Sequence, residues 1–166
     1  SDPIHYYYDA TVPAVPTNGL PHNQYKNTND GWYFTWSDVT DSGSPIHYEF
    51  IASQNNSVDE YGVLNSGVWY NTSSSHPEQN PLNLPQILTV GAAEGQWFWQ
   101  VRAIDEAGNT SNWSEVWNVT IDMTDPGVEI TLPADSSLLS GIRDIRGTVQ
   151  DSNLAGYLIA ILDTSL

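Results

Sequence analysis

The sequence of 166 residues contains no cysteine and only four basic residues, which are Lys26, Arg102, Arg143 and Arg146. Without cysteine there is no disulfide framework, no thiolate metal site and no thiol nucleophile. The four cations stand against 20 acidic residues, and the resulting net charge of −16 repels phosphate backbones and anionic lipid headgroups. No apolar run approaches the ~18 residues of a membrane span. We therefore expect neither a nucleic-acid partner nor membrane insertion.

Hydrophobic residues, by contrast, are plentiful enough for a packed core. They make up 39% of the chain and include 7 tryptophans, whereas disordered acidic tails are poor in aromatic residues. The lack of cysteine, the scarcity of lysine and the many small polar residues favour an extracellular prokaryotic protein, either secreted or at the cell surface. Because Ser1 stands where an initiator methionine would be, we also expect the chain to come from a longer protein.

Apolar and polar residues alternate with a period of two along most of the chain, which predicts β-strands that each have one buried face. Glycine- and proline-rich turns separate these runs and predict an all-β sandwich. The runs with this pattern are 32–36, 46–50, 68–72, 82–90, 97–103 and 117–121.

A short motif, Asp-x-Thr-x-Pro, occurs twice, beginning at Asp9 and at Asp122. Each copy follows an alternating run and precedes a Leu-Pro pair, as expected for a linker between two domains. The prolines stiffen such a linker because they fix φ. The repeat predicts that residues 1–12 are the last strand of a preceding domain with its linker, 13–122 a complete domain, 123–126 a second linker and 127–166 an incomplete domain.

Residues 13–122 resemble a bacterial fibronectin type III domain. The resemblance rests on Phe34-Thr-Trp36, on Asp41-Ser-Gly-Ser-Pro-Ile-His-Tyr48, and most of all on the stretch from Gly95 to Ser114. It implies an immunoglobulin-like sandwich in a multidomain extracellular protein. Trp97 stands where the family usually has its corner tyrosine, so we expect that corner to be built differently.

Residues 127–163 resemble the start of a bacterial immunoglobulin-like repeat, on the segments Val128-Glu-Ile-Thr-Leu-Pro-Ala-Asp135 and Gly147-Thr-Val-Gln-Asp151. The expected fold is therefore all-β: a fibronectin type III-like β-sandwich followed by a partial second sandwich. The two tryptophans Trp36 and Trp99 are expected to face each other in the core of the complete domain, and Trp113 to lie over Arg102.

No catalytic motif is present: the four histidines are scattered, and there is no nucleophile elbow or phosphate-binding loop. Alternation places Tyr33, Trp69 and Tyr70 on or near an outer face, where flat rings could stack on sugar rings. The alternative is that these rings only cover a sheet face, and exposed aromatic residues also mark protein partners.

Topology adds a candidate calcium site. In a fibronectin-type sandwich, two loops lie at the pole where the chain enters the domain, and here the linker and these loops carry five carboxylates: Asp9, Asp38, Asp41, Asp105 and Glu106. Ca²⁺ selects hard oxygen ligands in this way, although acidic residues are also common in turns. The same reasoning places Glu94, Asp122 and Asp125 near the second linker.

Together these patterns predict a non-catalytic structural or adhesive segment of a multidomain surface or secreted protein. The alternative is a carbohydrate-binding accessory module of a secreted polysaccharide-degrading enzyme. The expected partners are neighbouring domains of the same chain, and a glycan or surface protein is a further candidate. No cofactor is expected apart from calcium, which is a candidate at the five carboxylates.

Overall fold

The computed structural model describes residues 8–41, 45–71, 86–89, 91–137, 140–141 and 144–161. Every helix or strand within these ranges is a β-strand, so the all-β prediction is confirmed. The chain divides into two compact units, Ser1–Met123 and Thr124–Leu166. This division falls inside the linker that the repeated motif predicts.

The described part of the first unit contains seven strands: β1 Gln24–Lys26, β2 Tyr33–Thr35, β3 Ile46–Ser53, β4 Val68–Asn71, β5 Gln86–Leu88, β6 Gly95–Asp105 and β7 Trp117–Ile121. They form a five-stranded sheet in the order β1-β7-β6-β3-β4 and a two-stranded sheet of β2 and β5. The two sheets pack face to face as a β-sandwich, with antiparallel pairing except between β1 and β7. The sequence pattern missed β1, whose polar residues lie at the sheet edge.

The core lies between the two sheets and is rich in aromatic residues. Trp99 is fully buried, Trp36 is 5% exposed, and their ring centroids are 6.3 Å apart, which confirms that they face each other. Phe34 meets Trp99 edge-on at 5.1 Å, and Trp117 lies 4.6 Å from Trp99 on the neighbouring strand. Large rings that interdigitate in this way dominate the energy of a small core.

The corner at the start of β6 is built with a tryptophan. The indole N–H of Trp97 donates a 2.8 Å hydrogen bond to the carbonyl of Ala93, four residues upstream. A corner tyrosine closes a similar loop through its hydroxyl. Trp32 repeats the arrangement with the carbonyl of Thr28, at 3.1 Å.

One outward-facing residue of β6 is buried, contrary to the alternating pattern. Gln100 points away from the core yet is only 1% exposed, because the loop of residues 54–67 between β3 and β4 covers it. Further along the same face, Arg102 pairs with Glu49 at 2.6 Å and lies 4.9 Å from the ring of Trp113. The predicted cation–π contact between Arg102 and Trp113 is therefore confirmed.

In the second unit, β8 Gly127–Leu132 pairs antiparallel with β9 Arg146–Gln150, with a bulge between Ile130 and Leu132. Every residue of β8 is exposed, including Val128 and Ile130. The Leu-Pro pair that follows each copy of the motif is cis in both units. That residues 127–166 are an incomplete domain stays a prediction.

Candidate functional site

Residues 8–19, which extend from the predicted linker into the predicted domain and which we call the N-terminal linker, pack onto the sandwich of the first unit. Pro13 and Pro16 are buried, and Gly19 lies so close to the ring of Trp117 that a β-carbon there would collide with it. At the start of the linker, the Oδ1 atom of Asp9 accepts a hydrogen bond of 3.0 Å from the backbone N–H of Thr11. Asp9 itself is held to the sandwich by Asn109, whose side-chain amide donates a hydrogen bond of 3.1 Å to its backbone carbonyl.

A tight turn at the end of β6 holds a second carboxylate. Asp105 is buried, and its two oxygens accept hydrogen bonds from the backbone N–H and the side-chain amide of Asn109, both at 2.8 Å. Gly108 completes the turn with φ at +92°, a conformation that favours glycine. Its N–H donates a hydrogen bond of 3.1 Å to the carbonyl of Asp105.

Two opposing effects act on the charge of Asp105. Burial alone would raise the pKa of its carboxyl, but the hydrogen bonds from Asn109 and the turn backbone stabilise the anion and outweigh it. The pKa is therefore lowered, and the carboxylate is ionised at neutral pH.

The linker, the loop after β2 and the turn after β6 bring three carboxylates together. One oxygen from each of Asp9, Asp41 and Asp105 lies within 4.8 Å of the others. The Oδ2 atom of Asp9 is buried and has no hydrogen-bond partner among the described residues. The ion pairs seen in the described ranges, Arg102–Glu49 and Arg146–Asp144, involve other carboxylates. We call this cluster of Asp9, Asp41 and Asp105 the linker pole.

The donor set of the linker pole suits Ca²⁺. The three carboxylates place one hard oxygen each within reach of a single ion. Ca²⁺ takes about six to eight oxygens at distances near 2.4 Å, so carbonyls and water would supply the rest. A divalent cation would also offset the repulsion between three negative charges at close range. Asp9, Asp41 and Asp105 are the residues that could hold such an ion.

Two of the five predicted ligands are not part of the linker pole. The Oδ1 atom of Asp38 instead accepts a hydrogen bond of 2.8 Å from the hydroxyl of Tyr48, which itself accepts one of 2.9 Å from the N–H of Val39. Glu106 is exposed and is not among the three clustered residues, although it borders the same shallow groove as Asp105. The structure thus brings three of the five predicted carboxylates within 4.8 Å of one another, and calcium binding there stays a prediction.

The acidic residues predicted near the second linker belong to different units. Glu94 and Asp122 lie in the first unit and Asp125 lies in the second. The carboxylate of Glu94 accepts a hydrogen bond of 3.3 Å from the N–H of Met123. The N–H of Asp122 donates one of 2.9 Å to the carbonyl of Lys26.

The predicted aromatic ligand-binding residues occupy two different sheets. Tyr33, on β2 of the smaller sheet, is 44% exposed. Trp69 and Tyr70 lie on β4 at the edge of the larger sheet, paired with Ile51 and Phe50, and their side chains fall outside the described residues. The backbone positions do not put Tyr33 on the same strand pair as the other two.

Sequence reasoning missed Asn109, which organises the linker pole. Its side-chain amide bonds the carboxylate of Asp105 and also donates a hydrogen bond of 3.1 Å to the backbone carbonyl of Asp9. The only signal in the sequence is the turn Asp105-Glu-Ala-Gly-Asn109, and an asparagine there is explained equally well by turn formation alone.

No protein-family model matches this chain, and no curated protein is detectably similar to it in sequence. Within the described ranges, no helix has the length and apolar character needed to cross a membrane.

Proposed function

We propose that this chain is a non-catalytic structural and adhesive segment of a multidomain prokaryotic protein, at the cell surface or secreted. In this role, successive β domains act as spacers, and short proline-containing linkers hold them in line. The fibronectin type III and immunoglobulin-like resemblances of the two units belong to the same proposal.

The attachment of the N-terminal linker to the sandwich is the observation that carries this proposal. A flexible tether would need no buried prolines, yet Pro13 and Pro16 are buried and Asp9 is bonded to Asn109. The same Asp-x-Thr-x-Pro motif begins again at Asp122, between the two compact units. A repeated linker of which one copy is packed onto its domain supports a role in spacing and orientation.

The proposal includes Ca²⁺ at the linker pole, where it would join Asp9 of the linker to Asp41 and Asp105 of the sandwich. Binding there removes like-charge repulsion and ties the linker to two loops at once. The chain would then be stiffer with calcium than without it.

Amide hydrogen exchange on the full chain tests this role, measured with and without Ca²⁺. We expect calcium to slow exchange in residues 8–13 and around Asn109, and to leave the sheet interior around Val101 unchanged. Fast exchange of the linker under both conditions would contradict a spacer role, because the linker would then behave as a free tether.

Carbohydrate binding is the second candidate function, and the 44% exposure of Tyr33 on a sheet face favours it. In that case the chain is an accessory module of a secreted polysaccharide-degrading enzyme. A glycan array tests it: specific binding that Tyr33→Ala or the pair Trp69→Ala and Tyr70→Ala abolishes would favour this function over the first.

A further inference from the structure

The loop between β3 and β4 is far longer than its connection requires. The two strands are antiparallel neighbours that pair as far as Ala52 and Val68, and such a hairpin closes with about two to five residues. Here the loop runs from Gln54 to Gly67, several times that length. Long ordered loops of this kind commonly carry function.

Hydrogen bonds fix the tip of this loop. The Oδ1 atom of Asp59 accepts the backbone N–H groups of Tyr61 and Val63, each at 2.9 Å. The N–H of Asp59 donates to the carbonyl of Val63 at 2.8 Å, and the N–H of Gly62 donates to the carbonyl of Asp59 at 3.1 Å. The tip is therefore a closed turn with a defined backbone.

Gln100 of β6 clamps this turn onto the sheet. Its Oε1 atom accepts the N–H of Leu64 at 3.0 Å, and its Nε2 atom donates to the carbonyls of Gly62 at 2.8 Å and Ser114 at 2.9 Å. A buried amide with three hydrogen bonds holds the loop rigidly, because releasing the loop would leave these groups unsatisfied.

The clamped turn presents a short sequence of mixed character to solvent. Tyr61 is 82% exposed and Val58 is 42% exposed, and the two acidic residues between them, Asp59 and Glu60, are exposed as well. Because the backbone is already ordered, burying Tyr61 against a partner costs little further loop entropy.

We propose that this turn, residues 58–61, is a docking surface for a basic segment of a partner protein. A lysine or arginine side chain combines an aliphatic stem with a cationic head. The aliphatic stem would pack against Tyr61 and Val58. The cationic head would interact with the ring face of Tyr61 and with the carboxylate of Glu60. The net charge of −16 adds a long-range attraction for the same partner.

Charge decides between this partner and a neutral glycan at the same loop. A sugar stacked on Tyr61 could also donate hydroxyl hydrogen bonds to the carboxylates, but being neutral it would gain nothing from the net charge of −16, whereas a cation gains from both. The combination of one ring with two adjacent acidic residues favours a cation.

The test uses the full chain and a fluorescent peptide of alternating lysine and glycine, with binding followed by polarisation and located by NMR chemical shifts. The variants are Tyr61→Ala, Tyr61→Phe and Glu60→Gln. Tyr25→Ala is the matched control, because Tyr25 is 65% exposed on β1 but its neighbours are Gln24 and Lys26. Circular dichroism verifies that each exposed variant is folded.

We expect Tyr61→Ala to weaken binding about three- to fivefold and Tyr61→Phe, which keeps the ring, to change it by less than about twofold. Glu60→Gln should weaken binding and reduce its salt dependence, whereas Tyr25→Ala should have no effect. Shifts should concentrate in residues 58–64.

Three results would overturn the proposal. They are an absence of peptide binding, binding that Tyr61→Ala leaves unchanged, and shifts that centre on the linker pole instead of the loop. If a neutral oligosaccharide shifts residues 58–64 and the peptide does not, the loop is a glycan site instead.

Discussion

The side-chain amide of Asn109 donates a hydrogen bond of 3.1 Å to the backbone carbonyl of Asp9, although the two residues are far apart in sequence. The same amide holds the carboxylate of Asp105 at 2.8 Å. One asparagine thus ties the linker to the turn after β6 and sets the distance between two carboxylates of the linker pole.

Calcium should raise the melting temperature of the full chain, because the ion binds only where the fold has brought Asp9, Asp41 and Asp105 together. Asp41→Asn, which removes one charge, should abolish the shift. Glu106→Gln is the matched control, since it removes a carboxylate that lies outside the linker pole. Calorimetric titration and thermal melts measure both effects. An absence of heat and of any shift at about 1 mM Ca²⁺, a level at which even weak extracellular sites bind, would rule the site out.

Trp99→Ala should cost roughly 3–5 kcal/mol of unfolding free energy, because it leaves a cavity at the centre of the aromatic core. Chemical denaturation followed by circular dichroism measures the loss. Trp113→Ala should cost less, because that ring lies on the outer face over Arg102. A loss below about 1 kcal/mol for Trp99→Ala would mean that the core has been assigned to the wrong face.

Trp97→Phe should destabilise the first unit by about 1 kcal/mol, because the carbonyl of Ala93 loses its indole donor. Trp97→Tyr restores a donor of the kind that fibronectin-type corners use, and should recover part of the loss. Denaturant midpoints of the two variants give the comparison. Equal stability of both variants would show that packing alone, and not the hydrogen bond, explains the preference for tryptophan at this corner.

Alkaline pH should destabilise the fold through Tyr48. Burial raises the pKa of its hydroxyl far above the usual range, although the hydrogen bond from the N–H of Val39 acts in the opposite direction. In the unfolded chain the group ionises near pH 10, so its contribution is fully present below that pH and is lost as the pH rises towards the folded pKa. Denaturation at a series of pH values measures this slope.

Tyr48→Phe provides the comparison for that slope. This variant should be less stable at neutral pH by about 1 kcal/mol, because the N–H of Val39 loses its acceptor. It should also lose less stability above pH ~10, since the group that titrates is gone. A slope identical to that of the unmodified chain would assign the alkaline effect to other groups.

The strands and the core could be predicted from the sequence because the face of a strand is a local property. Side chains alternate with a period of two, so the pattern around Phe34, Trp99 and Val119 already identified the buried face. The strand β1 was not predicted, because an edge strand made mostly of polar residues shows no alternation of apolar and polar side chains.

The candidate site could be predicted only in part. Topology placed Asp9, Asp38 and Asp41 together with Asp105 at one pole, and the structure brings one oxygen from each of Asp9, Asp41 and Asp105 within 4.8 Å of the others but engages Asp38 elsewhere. The carboxylate of Asp38 accepts a hydrogen bond from the hydroxyl of Tyr48 on β3. The sequence pattern does not show which side chain from another strand will bind a given carboxylate.

The sequence by itself therefore determined an acidic, cysteine-free, all-β chain with an aromatic core and a repeated Asp-x-Thr-x-Pro motif. Composition and alternation are local properties, so they can be recognised without any knowledge of contacts. Only the tertiary structure decided which carboxylates share the linker pole, why Gln100 is buried on an outer face, and which loop presents Tyr61. These features rest on hydrogen bonds between residues distant in sequence, and folding alone brings such partners within reach.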